Sequence, residues 1–544
     1  MVPCKGRSIL RNKLYLYATE FFAGMAVMAV ELGASRLLAP YFSSSQIVWT
    51  IIIATIMIAM ALGNVYGGKS ADADPDPDRL YGRLLIAAVW IALIPFAGRY
   101  LILLITGLLV VTVSSNLLVI AAFLACAALF VYPCFLLGTC TPSLIRYIVS
   151  GAEDSGRTAG TLGACNTAGS IIGTFLPTFV TIPAVGTAVT FLVFSGILLL
   201  IAVIYFLSPK ETADPAERPG VHGGAVRCVI AVVLFVLAVI FSCRSSFAFW
   251  EHDLTYEGES VYNYLQVRDT PESTILSTNV LFGVQSVTMK DDSLTGMYYD
   301  YALAAPVMAK HADSVLILGM GTGTFARQCL RYFGDMKIRG VEIDEKITDL
   351  SRRYFDAPKE AEVIHYDGRA YLEADPDLYD VIMVDAYQDI TIPFQMSSVE
   401  FFTLVRDHLT EDGVMVVNMN MRGQQEGNIN QYLADTIASV FSTVYTVDVA
   451  GSTNRELFAS NNPAMLDVMD QNLAALPSGE LKGLMERVRG SLQAYEPGGY
   501  LMTDDRAPVE LLGMQVIDEL IRDEVAWYKQ IYKTQGIQGV IGSL

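Results

Sequence analysis

The stretch VLILGMGTGTF (315–325) ends a hydrophobic run in three alternating glycines, Gly319, Gly321 and Gly323. Glycines there permit a tight turn and let a ligand touch backbone. Glu342 follows 19 residues beyond Gly323, where a carboxylate can accept both hydroxyls of a ribose. Asp367, in YDG, can accept from an adenine amino group, and Asp385, in VDAY, adds a third carboxylate. One carboxylate at a strand end is ordinarily a solvated loop group. A glycine turn and three carboxylates at four consecutive strand ends point instead to one adenosyl site. A dinucleotide fingerprint needs its third glycine at GxGxxG, to pack helix against strand. Here the spacing is GxGxG, followed by Thr324, Phe325 and Ala326, which favours an S-adenosyl sulfonium compound.

These groups need strands that end together. DSVLILGM, KIRGVEID, AEVIHYD, YDVIMVDAY and DGVMVVNMN read as strands, with TFARQCLRYF and EKITDLSRRYF as helices between them. That alternation implies a doubly wound, mostly parallel sheet, in which ligands bind at the carboxyl ends of the strands. Before it, 260–269 and 278–290 alternate as two strands joined by a polar turn, a β-hairpin region. After it, 463–544 has helical spacing. Its helices are expected to cover the sheet or to form a homodimer contact.

The first half is of another kind. Hydrophobic residues make up 53% of the 544-residue chain and charged ones 17%, with a mean hydropathy of +0.41. Residues 14–245 are almost wholly apolar. Because about 20 apolar residues cross a bilayer, we read spans near 15–36, 46–67, 83–107, 116–138, 159–180, 183–206 and 226–243. They number seven, or eight if Pro95 and Arg99 break the third. The first is not a cleavable signal peptide, since it carries Glu20, Glu31 and Arg36. Basic residues in the 1–13 tail (Lys5, Arg7, Arg11, Lys13) put the N-terminus in the cytoplasm. GNVYGGKSADADPDP (63–77) reads as a tight turn, and the small residues from Gly160 to Gly173 as helix-packing positions. The domain plan is thus a tail (1–13), a transmembrane domain (14–245), a β-strand subdomain (246–300) and a Rossmann-like domain (301–544).

A net charge of −19 argues against nucleic-acid binding. Eight cysteines without a CxxC and five scattered histidines give no metal site and no disulfide framework.

Taken together, VLILGMGTGTFARQCL, VEIDEKITDLSRRYF, YDGRAYL, YDVIMVDAY and DGVMVVN resemble the spermidine synthase (polyamine aminopropyltransferase) family, over about residues 255–460. ESVYNYLQV (259–267) is similar to that family's E-S-x-Y-Q segment, and LFGVQSV to its L-D-G-V-x-Q strand. The apolar front half matches the membrane-fused subgroup. The resemblance implies a class I methyltransferase-like core and no tightly bound cofactor. S-adenosylmethionine or its decarboxylated form would be the co-substrate. It implies that Gly319, Gly321, Thr322, Gly323, Glu342, Asp344, Asp367, Gly368 and Asn263 hold that compound. Asp385, Tyr262 and Tyr298 would act in catalysis on a polyamine, with Gln388, Tyr299 and Asp300 on the polyamine side. Because the sulfonium compound is made in the cytoplasm, the soluble half of this multi-pass cell-membrane protein is expected there.

The departures bear on the chemistry. Thr322 stands where the family has the Asp that binds the free amine of the decarboxylated donor. Gln388 replaces the second carboxylate of D-x-x-D, Tyr299 and Asp300 replace His and Glu, and Phe282 replaces the Asp of L-D-G-V. Each missing charge-assisted contact would cost about 1.5–3 kcal/mol. Three outcomes follow: aminopropyl transfer to a polyamine; intramolecular cleavage of S-adenosylmethionine, or methyl transfer, at the same site; or a membrane transporter or sensor whose soluble domain only binds S-adenosyl compounds.

Overall fold

The structure is a computed structural model that describes residues 7–42, 45–112, 116–149, 155–209, 222–244, 246–251, 253–280, 284–386, 392–420, 422–423 and 425–541. The chain divides into two compact units. One comprises Met1–Glu251 with Gly258–Tyr264, the other His252–Glu257 with Leu265–Leu544.

The first unit is helical: α1 (Lys13–Phe42), α2 (Gln46–Ala73), α3 (Pro77–Thr112), α4 (Leu117–Gly138), α5 (Cys140–Ile148), α6 (Ser155–Leu176), α7 (Ile182–Leu207) and α8 (His222–Ser242). Among the described residues, six helical stretches are long and apolar enough to cross a membrane, by length and composition. One of the six holds two of the seven stretches read from the sequence, 159–180 and 183–206. There α6 and α7 join through a π-helical turn at Pro177–Thr181 into one run, Ser155–Leu207, interrupted at Gly186 (φ 80°, ψ 169°). Nor does α3 break at Pro95. Arg99 is buried and donates from Nε (3.2 Å) and Nη2 (2.9 Å) to the Pro95 carbonyl, so its charge is satisfied without ending the helix. The turn expected over 63–77 is shorter, because α2 runs on to Ala73. Gly63 and Gly67 serve close packing instead: a Cβ at either would strike Phe135 or Thr139 backbone. Likewise Gly169 and Gly173 lie against the Phe21 and Met25 carbonyls of α1, whereas Gly160 meets nothing. Glu20 is buried, its Oε1 accepting from Thr141 Oγ1 (2.5 Å) and Asn166 Nδ2 (2.8 Å).

The second unit begins with a four-stranded sheet in the order β1 (Leu254–Glu259), β2 (Tyr264–Asp269), β3 (Ser273–Ser277), β4 (Ser286–Met289). The hairpin reading missed β3. Only 270–272 turns, and Ile275 and Leu276 pair with Arg268 and Val267 on one side and with Val287 and Ser286 on the other. The polar Thr-Pro-Glu-Ser run masks a strand supported from both edges.

Then follow α9 (Tyr298–Ala302), α10 (Ala304–Met308), β5 (Ser314–Leu318), α11 (Thr324–Phe333), β6 (Lys337–Val341), α12 (Glu345–Tyr354), β7 (Glu362–Ile364), α13 (Gly368–Ala374), β8 (Tyr379–Val384), α14 (Val399–Asp407), β9 (Leu409–Met419), α15 (Ile429–Ala438), β10 (Thr443–Asp448), β11 (Arg455–Ser460), α16 (Met465–Ala475), α17 (Glu480–Ser491), β12 (Gln493–Ala494) and α18 (Val509–Ile541). The eight-stranded sheet has the order β12-β10-β11-β9-β8-β5-β6-β7. β7, β6, β5, β8 and β9 are parallel, while β11, β10 and β12 run antiparallel to their neighbours. Strand order reverses between β5 and β8, the switch point at which α/β sheets open a crevice for ligands. This is the expected spermidine synthase and methyltransferase-like α/β arrangement. The reversed edge was not read from the sequence.

One face of the sheet carries Val315, Ile317, Val381, Met383, Val414, Val416 and Phe458. They pack with Ala302, Met308, Met469 and Met485 from the short helices and the tail helices α16 and α17. Each fully buried aliphatic side chain contributes about 1.5–3 kcal/mol. This core holds the strand ends in register.

Candidate active site

The glycine turn follows β5. Gly319, Gly321 and Gly323 have φ of 95°, 54° and 83°, values that side chains rarely adopt. Gly319 is constrained twice over, because a Cβ there would lie 2.5 Å from the Asp385 carbonyl oxygen. The absent side chain is what lets the end of β5 lie against the end of β8, and Asp385 N–H donates to the Leu318 carbonyl at 2.9 Å.

Glu342, just past β6, reaches back under that turn. Its Oε2 accepts from Gly321 N–H (2.9 Å) and its Oε1 from Asp344 N–H (3.0 Å). Burial pushes its carboxyl up to about 7, against the lowering effect of those two N–H groups. Each carboxylate oxygen keeps a second lone pair for a hydroxyl. Asp344 is the N-cap of α12, accepting from Lys346 N–H at 3.1 Å. Asp367 caps α13 in the same way, accepting from Ala370 N–H at 2.9 Å. Gly368 opens that helix beside Met396, whose Cε lies 3.3 Å from the place of a Cβ.

Asp385 stands at the switch point between two donors. Tyr298 Oη donates to its Oδ2 at 2.6 Å, and Asn418 Nδ2, from the end of β9, donates to its Oδ1 at 3.1 Å. Asn454 Nδ2 in turn orients Asn418, donating to its Oδ1 at 2.8 Å. Burial pushes the Asp385 carboxyl up to about 7. The two donors oppose that shift and the Glu342 charge adds to it. Burial, then the Asp385 charge, holds the Tyr298 hydroxyl well above its usual range, so it remains a donor. A carboxyl near neutrality is suited to taking a proton at physiological pH.

Other expected site residues are placed differently. Thr322 is 1% exposed and its hydroxyl lies 3.2 Å from that of Thr324, which donates to the Val287 carbonyl of β4 at 2.9 Å. It therefore anchors the turn to the small sheet. Tyr299 donates to the Gln285 carbonyl at 2.6 Å. Asp300 is 1% exposed and accepts from Thr295 Oγ1 (3.0 Å), Gly296 N–H (2.6 Å) and Gln328 Nε2 (2.6 Å). Those three donors fix the loop before α9, so the Asp300 carboxylate is already engaged within the protein. Tyr262 and Asn263 belong to the β1–β2 turn, which groups with the first unit. Their N–H groups donate to Ser260 Oγ at 3.0 and 2.8 Å. Gln388 and Phe282 lie outside the described residues.

Sequence reasoning missed Asn418, Asn454 and Glu456. Asn418 does break a hydrophobic run, GVMVV, at a strand end, the same signal that marked the carboxylates. Glu456, on β11, is fully buried, and among the described residues neither carboxylate oxygen has a hydrogen-bond partner. Among the described residues, no group of three or more His, Cys, Asp or Glu side chains is placed to hold a metal ion.

Residues 297–451, which contain the glycine turn, Glu342, Asp367, Asp385 and Asn418, match the spermine/spermidine synthase domain family. A probable polyamine aminopropyl transferase of Bifidobacterium longum is 53% identical over 356 residues, 62% of this chain and 77% of that protein. Polyamine aminopropyltransferase 2 of Pseudomonas aeruginosa is 30% identical over 203 residues, 35% of this chain and 56% of its own length. Among solved structures, the spermidine synthase of Thermotoga maritima aligns at 20% identity over 44% of this chain and 84% of that one, with a TM-score of 0.36. The extent and identity of the Bifidobacterium match show that the chain belongs to the spermine/spermidine synthase family of transferase enzymes.

Proposed function

We propose that the chain is a membrane-bound polyamine aminopropyltransferase that uses decarboxylated S-adenosylmethionine. The glycine turn and Glu342 would hold the adenosyl group, and Asp367 at the start of α13 the adenine. In the reaction, the lone pair of a neutral amine attacks the aminopropyl carbon attached to sulfur. A C–N bond forms and the C–S bond breaks. Its electron pair returns to sulfur, and methylthioadenosine leaves as a neutral thioether. The extra proton on nitrogen passes to Asp385. Tyr298 and Asn418 fix that carboxylate so that it accepts in one orientation.

The observation that carries this reading is the Asp385 carboxylate, held by Tyr298 and Asn418 beside the glycine turn, with a carboxyl pushed up to about 7. Thr322 leaves the turn without a charge. Assays should therefore compare the decarboxylated and ordinary donors. Asp385→Asn should lower turnover by about 10²–10⁴-fold while methylthioadenosine still binds, as read by calorimetry on the full chain. Turnover unchanged in Asp385→Asn would remove the assignment.

The membrane reading rests on the six apolar helices and on their outward faces. Leu62, Leu207 and Val229 are 56%, 70% and 63% exposed, which suits contact with lipid rather than water. The catalytic unit is placed in the cytoplasm, where its donor is made. Retention of the chain in membranes washed with alkaline carbonate is the expected result.

A further inference from the structure

Glu456 has no role in the chemistry just described, yet its position is unusual. It is 0% exposed, and among the described residues neither carboxylate oxygen meets a donor. A buried carboxyl without a partner is costly to ionise and stays neutral until a cation is brought beside it. In the β9–β11 register, Glu456 pairs directly with Asn418, and Phe458 with Val416. Cross-strand partners share a face of the sheet, so Glu456 lies beside the same Asn418 that donates to Asp385. Asp385, Asn418 and Glu456 thus cross three neighbouring strand ends, β8, β9 and β11. Two strand spacings, about 10 Å, separate the outer pair along the sheet. The amide of its cross-strand partner and the one that orients it are already committed. Asn418 Nδ2 faces Asp385, and Asn454 Nδ2 faces Asn418. Burial, then the charge of Asp385, holds the Glu456 carboxyl well above its usual range, the behaviour of an acid with no cation beside it.

We propose that Glu456 is the binding residue for a primary ammonium group, meeting one end of an amine-bearing substrate while Asp385 faces the reacting nitrogen. This rests on the aminopropyl-transfer reading for the role of Asp385. Two substrates of that reaction carry such a group: the acceptor, through the nitrogen that does not react, and the decarboxylated donor, through its aminopropyl terminus.

The test uses the full chain in detergent and isothermal calorimetry with four ligands. Putrescine against butylamine reads the acceptor's second ammonium. Decarboxylated S-adenosylmethionine against methylthioadenosine reads the donor's. In Glu456→Gln, one of these two preferences should fall by about 10- to 100-fold, the loss of one buried charge-assisted contact. Methylthioadenosine should bind as in the wild type, which reports an intact fold. If both preferences survive, the proposal is overturned. Should Glu456→Gln lose methylthioadenosine binding, Glu456→Asp decides. There the charge is kept but withdrawn, so a lowered preference supports the assignment and an unchanged one overturns it. Turnover is scored separately. A chain that makes no aminopropylated product, yet loses an ammonium preference in Glu456→Gln, keeps this site and loses the transferase reading.

Discussion

Tyr298→Phe isolates one hydrogen bond at the centre of the site. The phenol donates to Asp385 Oδ2 at 2.6 Å, and the ring is nearly buried, 5% exposed, so Phe keeps the packing. A hydrogen bond to a charged group contributes about 1.5–3 kcal/mol. The bond favours the ionised carboxylate, so its loss disfavours that form. At 1.36 kcal/mol per pH unit, the midpoint of Asp385 should move up by about 1–2 pH units. Asp385 must be ionised to accept a proton, and its carboxyl already sits at about 7. Activity therefore rises with pH through that midpoint. At pH 7 the variant should turn over about 5- to 50-fold more slowly, and most of the loss should return by pH 9. The assay is methylthioadenosine release across pH 6–10 with saturating donor and amine. An unshifted rising limb, whatever the absolute rate, would refute the role given to the Tyr298–Asp385 bond.

Gly319→Ala forces a side chain into a backbone of φ 95° and to within 2.5 Å of the Asp385 carbonyl. It should destabilise the ligand-free chain by at least about 1–2 kcal/mol and weaken methylthioadenosine binding, both read by thermal shift with and without ligand. Stability should also depend on pH through the two raised carboxyls. Glu342 and Asp385 both sit near 7 when folded, above ordinary values of about 4. The folded state then holds more protons than the unfolded state, so their contribution is full below about 4 and is lost as pH rises through about 7. Over that window the melting temperature of Asp385→Asn should fall less steeply than that of the wild type, as measured by calorimetry in a pH series.

Strand ends were legible where the determinants are local. β5 and β8 are short, mostly aliphatic runs that stop at Gly319 and Asp385, β6 places Ile338 and Val341 before Glu342, and α11 and α12 carry their apolar residues on one face. Side-chain roles set by distant partners were not legible. Asp300 reads as a group facing a substrate until Gln328, 28 residues away, is found donating to it. Thr322 reads as a ligand contact until β4 closes over it. The antiparallel-paired strands β10 and β11 carry Thr, Tyr, Arg and Glu among their apolar residues. Only their pairing, β11 with β9 and β10 with β11, shows them to be strands, and only the β9–β11 register puts Glu456 beside Asn418. In the helical unit, Pro95 and the glycines at 63 and 67 carry the usual marks of breaks. Both helices nevertheless run on, with Gly63 and Gly67 packed against Phe135 and Thr139 and Arg99 bonded to the Pro95 carbonyl.

The most direct measurement is product identity. The purified full-length chain is incubated with decarboxylated S-adenosylmethionine and putrescine, and the mixture is resolved by mass spectrometry. Methylthioadenosine and an amine heavier by one aminopropyl group, in equal amounts, are the expected result. Methylthioadenosine without the longer amine, or S-adenosylhomocysteine when the ordinary donor is supplied, would contradict transfer to an amine at Asp385.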